Sequence, residues 1–139
     1  MTAQGEDILA WLDSAITRRE SAASVASPGP WVQGGIGDYG WTVRTGIRSV
    51  ETEDSEIGQA DARHIALNSP SAVLRRCAAD RKLLELHRPQ QDGSGFPDSV
   101  QCRTCSEDSL GDGYQYLVYA PCLTIVALAE GYGWTGGER

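Results

Sequence analysis

Four side chains that can bind a transition metal lie in the second half of the chain. They are His87, Cys102, Cys105 and Cys122, in the pattern His-x14-Cys-x2-Cys-x16-Cys. Two cysteines separated by two residues on a tight loop can direct both thiolates at one ion, and a His and a third Cys would complete a tetrahedron. The pattern alone fits a closed structural zinc site and reduced, partly buried cysteines in a loop-rich region about equally well.

An iron–sulfur cluster is the second chemistry that the same sulfur atoms could support. Cys77 would then serve as a ligand in place of His87. Cys77 falls inside a helical pattern, however, where a cysteine usually behaves as a small packed apolar residue. The iron–sulfur regulator is nevertheless kept as an alternative to the zinc site.

Asp61 and His64 are the obvious acid–base pair of this sequence. They are three residues apart and would lie on one face of a helix. A structural role explains Asp61 better, because an acidic residue can stabilise the start of a helix. The sequence contains no Gly-x-Ser-x-Gly nucleophile turn and no phosphate-binding glycine loop. Asp61 and His64 are therefore weak catalytic candidates, and the protein is more consistent with a non-enzyme.

The composition describes an acidic chain of the size of one domain. It has 139 residues, with 12 Lys and Arg against 19 Asp and Glu, for a net charge of −7. A chain of this length can bury a modest core, which predicts a single domain over residues 1–139. Binding to nucleic acid would require a basic face, and no run or stripe of basic residues is visible. Nucleic acid is therefore not an expected partner.

No membrane segment and no signal peptide are recognisable. The longest apolar run, residues 123–129 with Thr124 inside it, is much too short to cross a bilayer. The first residues lack a basic segment followed by an apolar one. We therefore expect no membrane association and a location in the cytosol, where a Cys-x-x-Cys pair is more often a metal-binding or redox unit than a structural disulfide.

The first half of the chain is predicted to contain a helix and then short strands. Apolar residues spaced by three and four predict an N-terminal helix over residues 6–26. Ser27-Pro28-Gly29-Pro30 ends it, because each proline removes a donor and restricts the residue before it. Residues 28–57 are rich in strand-forming residues and turn glycines, and they predict short antiparallel strands.

The second half is predicted to contain helices on either side of the candidate metal-binding loop. A helix pair is expected over residues 59–88, and Ser69-Pro70 marks the start of its second member. Residues 89–131 are expected to form the metal-binding loop and a buried C-terminal helix that begins at Pro121, followed by a tail over residues 132–139. A loop of this length needs an anchor, which a metal ion would provide.

These elements predict an α+β fold. Three or four helices would pack on a short antiparallel sheet, and a treble-clef-like zinc knuckle would tie the loop to the last helix. Trp31 and Trp41 are candidates for a binding surface, because tryptophan is a frequent interface anchor, although packing inside the domain explains them better.

Several segments follow one another in an order that is more specific than any one of them. They are Ser27-Pro28-Gly29-Pro30-Trp31, Asp61-Ala62-Arg63-His64-Ile65-Ala66, Ser69-Pro70-Ser71-Ala72-Val73-Leu74-Arg75, Lys82-Leu83-Leu84-Glu85-Leu86-His87, Cys102-Arg103-Thr104-Cys105 and Pro121-Cys122-Leu123-Thr124. With them the chain, over about residues 8–129, resembles a group of small uncharacterised proteins from actinobacteria and their phages that share a domain of unknown function. It is also similar, more loosely, to phage proteins with a Thr-Pro-Gly-Pro-Trp turn and a phenylalanine at the position of His64.

The resemblance implies the fold, the ligands His87, Cys102, Cys105 and Cys122 for zinc, and a setting in phages or prophages. It implies no activity. With an acidic surface and no catalytic constellation, the expected function is that of a non-enzymatic protein-binding or adaptor module that contacts a host protein. A metal-dependent hydrolase with an open zinc site and an iron–sulfur regulator are the alternatives.

Overall fold

Four α-helices and small antiparallel sheets make up the described part of the chain. The computed structural model describes residues 3–97, 99–108 and 115–136. The helices are α1 (Ala3–Val25), α2 (Glu56–Leu67), α3 (Pro70–Leu86) and α4 (Leu123–Gly131). The strands are β1 (Trp31–Ile36), β2 (Trp41–Thr45), β3 (Arg48–Glu51), β4 (Pro89–Gln91), β5 (Val100–Cys102), β6 (Glu107–Asp108) and β7 (Gln115–Tyr116). The predicted α+β class is therefore confirmed.

The contacts between residues divide the chain into two compact units. Unit 1 comprises Met1–Thr17 and Ala79–Arg139, and unit 2 comprises Arg18–Ala78. Helices α1 and α3 contribute residues to both units. The single domain over residues 1–139 stays a prediction.

Unit 2 contains a three-stranded antiparallel sheet in the order β1-β2-β3, against which α2 packs. Val43 in the central strand is fully buried and pairs with Gln33 of β1 and with Val50 of β3. The pairing of β1 with β2 is irregular between Gln33 and Ile36, where the two glycines of β1 lie. The antiparallel strands expected between residues 28 and 57 are therefore present.

Helix α2 begins at Glu56, three residues earlier than the sequence predicted. Ser55 is its N-cap, and the Ser55 hydroxyl accepts a hydrogen bond from the Gly58 N–H at 3.0 Å. Glu51, the last residue of β3, closes the turn between β1 and β2. The carboxylate of Glu51 accepts hydrogen bonds from the backbone N–H groups of Asp38 and Tyr39, both at 2.9 Å.

Helix α3 begins where Ser69 and Pro70 predicted. The Val73 N–H donates to the carbonyl of Ser69 at 3.0 Å, and the Ser69 hydroxyl lies 3.4 Å from the Ala72 N–H. Proline suits the first helical position because its missing N–H would have no partner inside the helix.

The core of unit 1 includes the first part of α1 and one side of α4. Ile8, Leu12 and Ile16 are buried at helical spacing, and Ile125 of α4 is fully buried. The expected burial of the last helix holds for one side only, because Leu128 and Ala129 are also buried whereas Leu123 is 83% exposed. Helix α4 also begins two residues after Pro121, and this shift changes the position of Cys122.

No helix within the described ranges combines the length and the apolar character needed to cross a bilayer.

Candidate metal centre

His87 directly follows α3 and continues its hydrogen-bond pattern. Its backbone N–H donates to the Leu83 carbonyl at 3.0 Å. The Thr104 hydroxyl donates to the carbonyl of Leu86, one residue before His87. The end of α3 is therefore attached to the turn that carries two of the cysteines.

A short hairpin brings Cys102 back towards His87. Strand β4 follows the helix almost at once and pairs antiparallel with β5, so that Pro89 lies opposite Cys102. The Arg103 N–H donates to the Arg88 carbonyl at 3.1 Å, which extends the pairing past the last strand residue. Cys102 therefore lies at the end of the hairpin next to the end of α3.

Cys105 lies on a tight turn that Cys102 opens. The Cys105 N–H points at the Cys102 sulfur, with 3.4 Å between nitrogen and sulfur, and the Ser106 N–H donates to the Cys102 carbonyl at 3.2 Å. A backbone N–H directed at a cysteine sulfur stabilises its thiolate. The turn therefore directs both sulfur atoms to one side, as the Cys-x-x-Cys spacing predicts.

The segment before α4 lies along the free edge of β5. The Cys102 N–H donates to the Val118 carbonyl at 2.7 Å, the Ala120 N–H donates to the Val100 carbonyl at 3.1 Å, and Gln101 forms a bridge with Tyr119. This pairing carries the chain to Cys122, the N-cap residue of α4. Cys122 therefore directly precedes the helix, whereas a helix that begins at Pro121 would have placed it in the first turn.

The four predicted ligand side chains converge. Their ligand atoms all lie within 4.8 Å of one another. The Nδ1 atom of His87 is 3.4 Å from the sulfur of Cys102, 3.3 Å from that of Cys105 and 3.5 Å from that of Cys122. Zinc–sulfur and zinc–nitrogen bonds of ordinary length at a tetrahedral angle would separate sulfur from nitrogen by about 3.6 Å. The observed separations therefore fit one tetrahedral ion.

The cluster is largely enclosed, and its thiols have unequal acidity. Cys102 and Cys122 are buried and Cys105 is half-buried. Burial raises the pKa of the Cys102 thiol, but hydrogen bonds from the backbone N–H groups of Cys105 and Thr104 outweigh it, so that its pKa is lowered. Burial raises the pKa of Cys105 to about 12, and its hydrogen bond to Cys102 acts in the same direction. Of these two thiols, Cys102 therefore loses its proton at a lower pH than Cys105.

The remaining candidates from the sequence lie elsewhere. Cys77 is 1% exposed within α3 and is not one of the four clustered residues. Asp61 and His64 are both exposed on α2. Because that helix starts at Glu56 with Ser55 as its cap, the prediction that Asp61 stabilises the helix start was wrong.

Trp31 and Trp41 are half-buried on neighbouring strands of unit 2. The indole N–H of Trp31 donates to the Ser27 carbonyl at 3.0 Å, across the Ser-Pro-Gly-Pro turn. Its polar atom is therefore satisfied within the protein, and its ring is held in one orientation.

The sequence reasoning missed two side chains that support the centre. Thr104 bonds to the end of α3, and the Ser106 hydroxyl accepts a hydrogen bond from the Val118 N–H at 3.0 Å. Small hydroxyl residues inside and directly after a Cys-x-x-Cys turn are the signal that could have identified them, because such residues often bond to nearby backbone.

Taken together, the fold and the site define a class: an α+β protein with a cluster of one imidazole and three thiols that could bind a metal ion. The chain belongs to a family described as Family of unknown function (DUF6221), whose sequence profile matches residues 5–133. No match was found among curated proteins, and none among solved structures. The predicted membership in a family of unknown function is thus confirmed.

Proposed function

We propose that His87, Cys102, Cys105 and Cys122 bind one zinc ion that stabilises unit 1. The observation that carries this proposal is the convergence of four ligand atoms within 4.8 Å. Three thiolates and one imidazole are a donor set that zinc favours in structural sites. The ion would supply a cross-link between three segments of the chain: the end of α3, the turn that carries Cys102 and Cys105, and the N-cap of α4.

A single ion explains the geometry better than an iron–sulfur cluster. Such a cluster distributes its ligands over two or more iron atoms and would spread the sulfur atoms further apart. Such clusters are most often held by four cysteines, whereas the fourth clustered side chain here is a histidine, whose Nδ1 atom lies within 3.5 Å of each of the three sulfur atoms.

A closed donor set also favours a structural role over catalysis. Catalytic zinc sites usually have three protein ligands and keep one position for water or substrate, whereas structural sites use four. A hydrolase with an open zinc site would need one of these four side chains to lie outside the cluster. The proposed function is therefore non-enzymatic: a metal-stabilised protein-binding or adaptor module.

The proposed partner is a host protein in the cytoplasm of a bacterium that carries the gene on a phage or prophage. This part of the proposal is supported by the resemblance to proteins of actinobacteria and their phages. The sequence shows no run of basic residues, which supports a protein partner over nucleic acid.

Metal analysis of the purified full-length chain tests the site. The protein produced without added metal is expected to contain about one zinc per chain and to be colourless. Zinc near zero, or a brown protein with visible charge-transfer absorbance, contradicts the assignment.

Affinity capture from host lysate, followed by reconstitution with the purified candidate partner, tests the binding role. We expect saturable binding by the zinc-loaded chain and no turnover of the partner. Zinc-dependent chemical modification of the captured protein would assign the chain to the enzymes instead.

A further inference from the structure

Unit 2 contains an apolar cavity of about 310 Å³ that is open to solvent. It lies between the last part of α1, the start of β1 and the start of α3. Its apolar lining consists of Ala22, Ala23, Ala26, Trp31, Pro70 and Val73. It is separate from the four metal ligands, all of which belong to unit 1.

The cavity exists because α1 presents alanines opposite a fixed tryptophan. Ala22 and Ala23 lie in the last turn of α1 and Ala26 directly follows the helix, and their methyl groups are too short to fill the space in front of the Trp31 ring. The indole N–H of Trp31 is already bonded to Ser27. The ring therefore offers a rigid apolar wall without an unsatisfied polar atom.

Apolar residues next to the lining are exposed as well. Val25, beside Ala26, is 87% exposed, and Leu67, one residue before the lining residue Asn68, is 69% exposed. A volume of about 300 Å³ is at the lower limit of ligand pockets, which suits an inserted apolar side chain better than a large cofactor.

The helical segments that form the cavity are basic in an otherwise acidic protein. Residues 18–26 and 68–78 carry Arg18, Arg19, Arg75, Arg76 and a single acidic residue, Glu20, for a net charge of +3, whereas the whole chain has −7. The four arginines are exposed, and Arg19 lines the cavity itself. Helical spacing places Arg18 on the face of Ala22, and Arg76 on the face of Val73.

We infer that this cavity docks an acidic segment of a partner protein, which inserts one leucine-like or phenylalanine-like side chain against Trp31. Carboxylates on either side of the inserted residue face the arginines of α1 and α3. The charge of these walls selects an acidic segment and disfavours a basic one. The inference rests on the proposed binding role and assigns it to this surface.

The test uses the full-length, zinc-loaded chain labelled with nitrogen-15 and short peptides as probes. The probes are Glu-Asp-Leu-Glu-Asp, the same peptide with alanine in place of leucine, and Lys-Arg-Leu-Arg-Lys, all with blocked ends. We expect the first peptide to give saturable shifts at Ala22, Ala26 and the Trp31 indole N–H. The alanine peptide should bind about tenfold more weakly, because little apolar surface remains to be buried. Raising the salt concentration should weaken the first interaction.

Two substitutions on α1 provide the matched comparison. Ala22→Leu fills the cavity from an exposed position, and Ala10→Leu places the same side chain at an exposed position of α1 that is not part of the lining. We expect Ala22→Leu to weaken peptide binding at least about tenfold and Ala10→Leu to leave it unchanged. Arg18→Glu, which leaves the cavity open, should weaken binding of the acidic peptide and serves if Ala22→Leu does not fold.

Several results would overturn the inference. One is equal binding of the acidic and basic peptides, and another is a set of shifts confined to a different surface. A third is the absence of any saturable shift at peptide concentrations on the order of millimolar. The fourth is concentration-dependent self-association that competes with the peptide, which would assign the cavity to a second copy of the chain. If a captured host protein binds wild type and Ala22→Leu equally, the docking site is wrong while the binding role stands.

Discussion

In the metal-free chain, the cysteines of the cluster differ in the acidity of their thiols. The thiol of Cys102 is more acidic than that of Cys105, because backbone N–H groups from its own turn are directed at its sulfur. Cys105, half-buried three residues past the end of β5, has its pKa raised to about 12. A divalent ion must therefore displace the proton of Cys105, whereas the lowered pKa of Cys102 favours the thiolate that the ion would bind.

Replacing Cys105 by serine should remove most of the metal. The hydroxyl of serine is a poor zinc ligand, so we expect zinc affinity to fall more than about tenfold and the metal content of the purified chain to drop well below one. Cys77→Ala is the matched control, since it also removes a thiol, but a buried one outside the cluster. It should keep the zinc. Equal metal loss in both variants would show that the four-residue assignment is incorrect.

Metal binding should release protons, and its apparent affinity should rise with pH. With a pKa of about 12 in the metal-free chain, the Cys105 thiol is protonated at neutral pH and must ionise to bind. Each proton released makes the affinity rise about tenfold per pH unit. Competition with a coloured chelator between about pH 6.5 and 8.5 measures the slope. A slope of zero contradicts ligation by Cys105.

The raised pKa of Cys105 also predicts how the stability of the metal-free chain changes with pH. The folded chain holds the Cys105 proton up to about pH 12, whereas the thiol of an unfolded chain releases it near its ordinary value of 9.0. The stabilisation is thus present below pH 9.0 and declines as the pH rises towards 12. Zinc loading should abolish this decline, because the ligated thiolate carries no proton.

At the scale of elements, helix starts were predictable where the capping chemistry is unambiguous. Ser69 followed by Pro70 gave the start of α3 correctly. Ser55 was missed because it stands in an acidic run that also fits an exposed loop, and only its bond to the Gly58 N–H distinguishes the two. Pro121 resembles a first helical residue, yet α4 begins two residues later.

The pairing of the strands around the candidate metal centre could not be predicted from local sequence patterns. Strands β4 and β5 have three residues each, which is too short for an alternating pattern to emerge. The pairing of Val100 and Cys102 with residues 118–120 joins segments that are distant in sequence. The clustering of His87, Cys102, Cys105 and Cys122 was nevertheless predictable, because metal-binding residue types and the Cys-x-x-Cys spacing are visible without any knowledge of the pairing.

Gly58 in the first turn of α2 should not tolerate a side chain. A Cβ atom there would lie 1.7 Å from the Glu53 carbonyl oxygen, a backbone atom that cannot move away cheaply. We expect Gly58→Ala to lower the free energy of unfolding by about 1–3 kcal/mol or more, despite the better helix propensity of alanine.

Gly131→Ala is the helical control, because nothing lies within 4 Å of a Cβ at that position. It should be neutral or stabilising by up to about 1 kcal/mol. Denaturant titration of both variants measures the difference. Equal stability of the two would mean that α2 does not approach Glu53 so closely.

At the scale of the whole molecule, the negative net charge of the chain hides a positively charged region in unit 2. Unit 2 contains seven arginines and seven acidic residues, so the net charge of −7 belongs entirely to the residues of unit 1. The sequence showed no basic stripe because Arg18 and Arg19 are far along the chain from Arg75 and Arg76. Folding places both pairs on helices that line one cavity.

Removing the metal should loosen unit 1 and leave the sheet of unit 2 protected. Among the described residues between 88 and 101, none is fully buried, so this segment depends on Cys102 and the cluster for a deep anchor. In structural sites the binding free energy contributes directly to folding. A strong chelator should therefore lower the melting temperature and speed hydrogen exchange between residues 87 and 106, while β1, β2 and β3 keep their protection. The same chelator should change little in Cys105→Ser, which has already lost most of its metal. Exchange that increases uniformly along the chain, or not at all, would show that something other than the metal holds this segment.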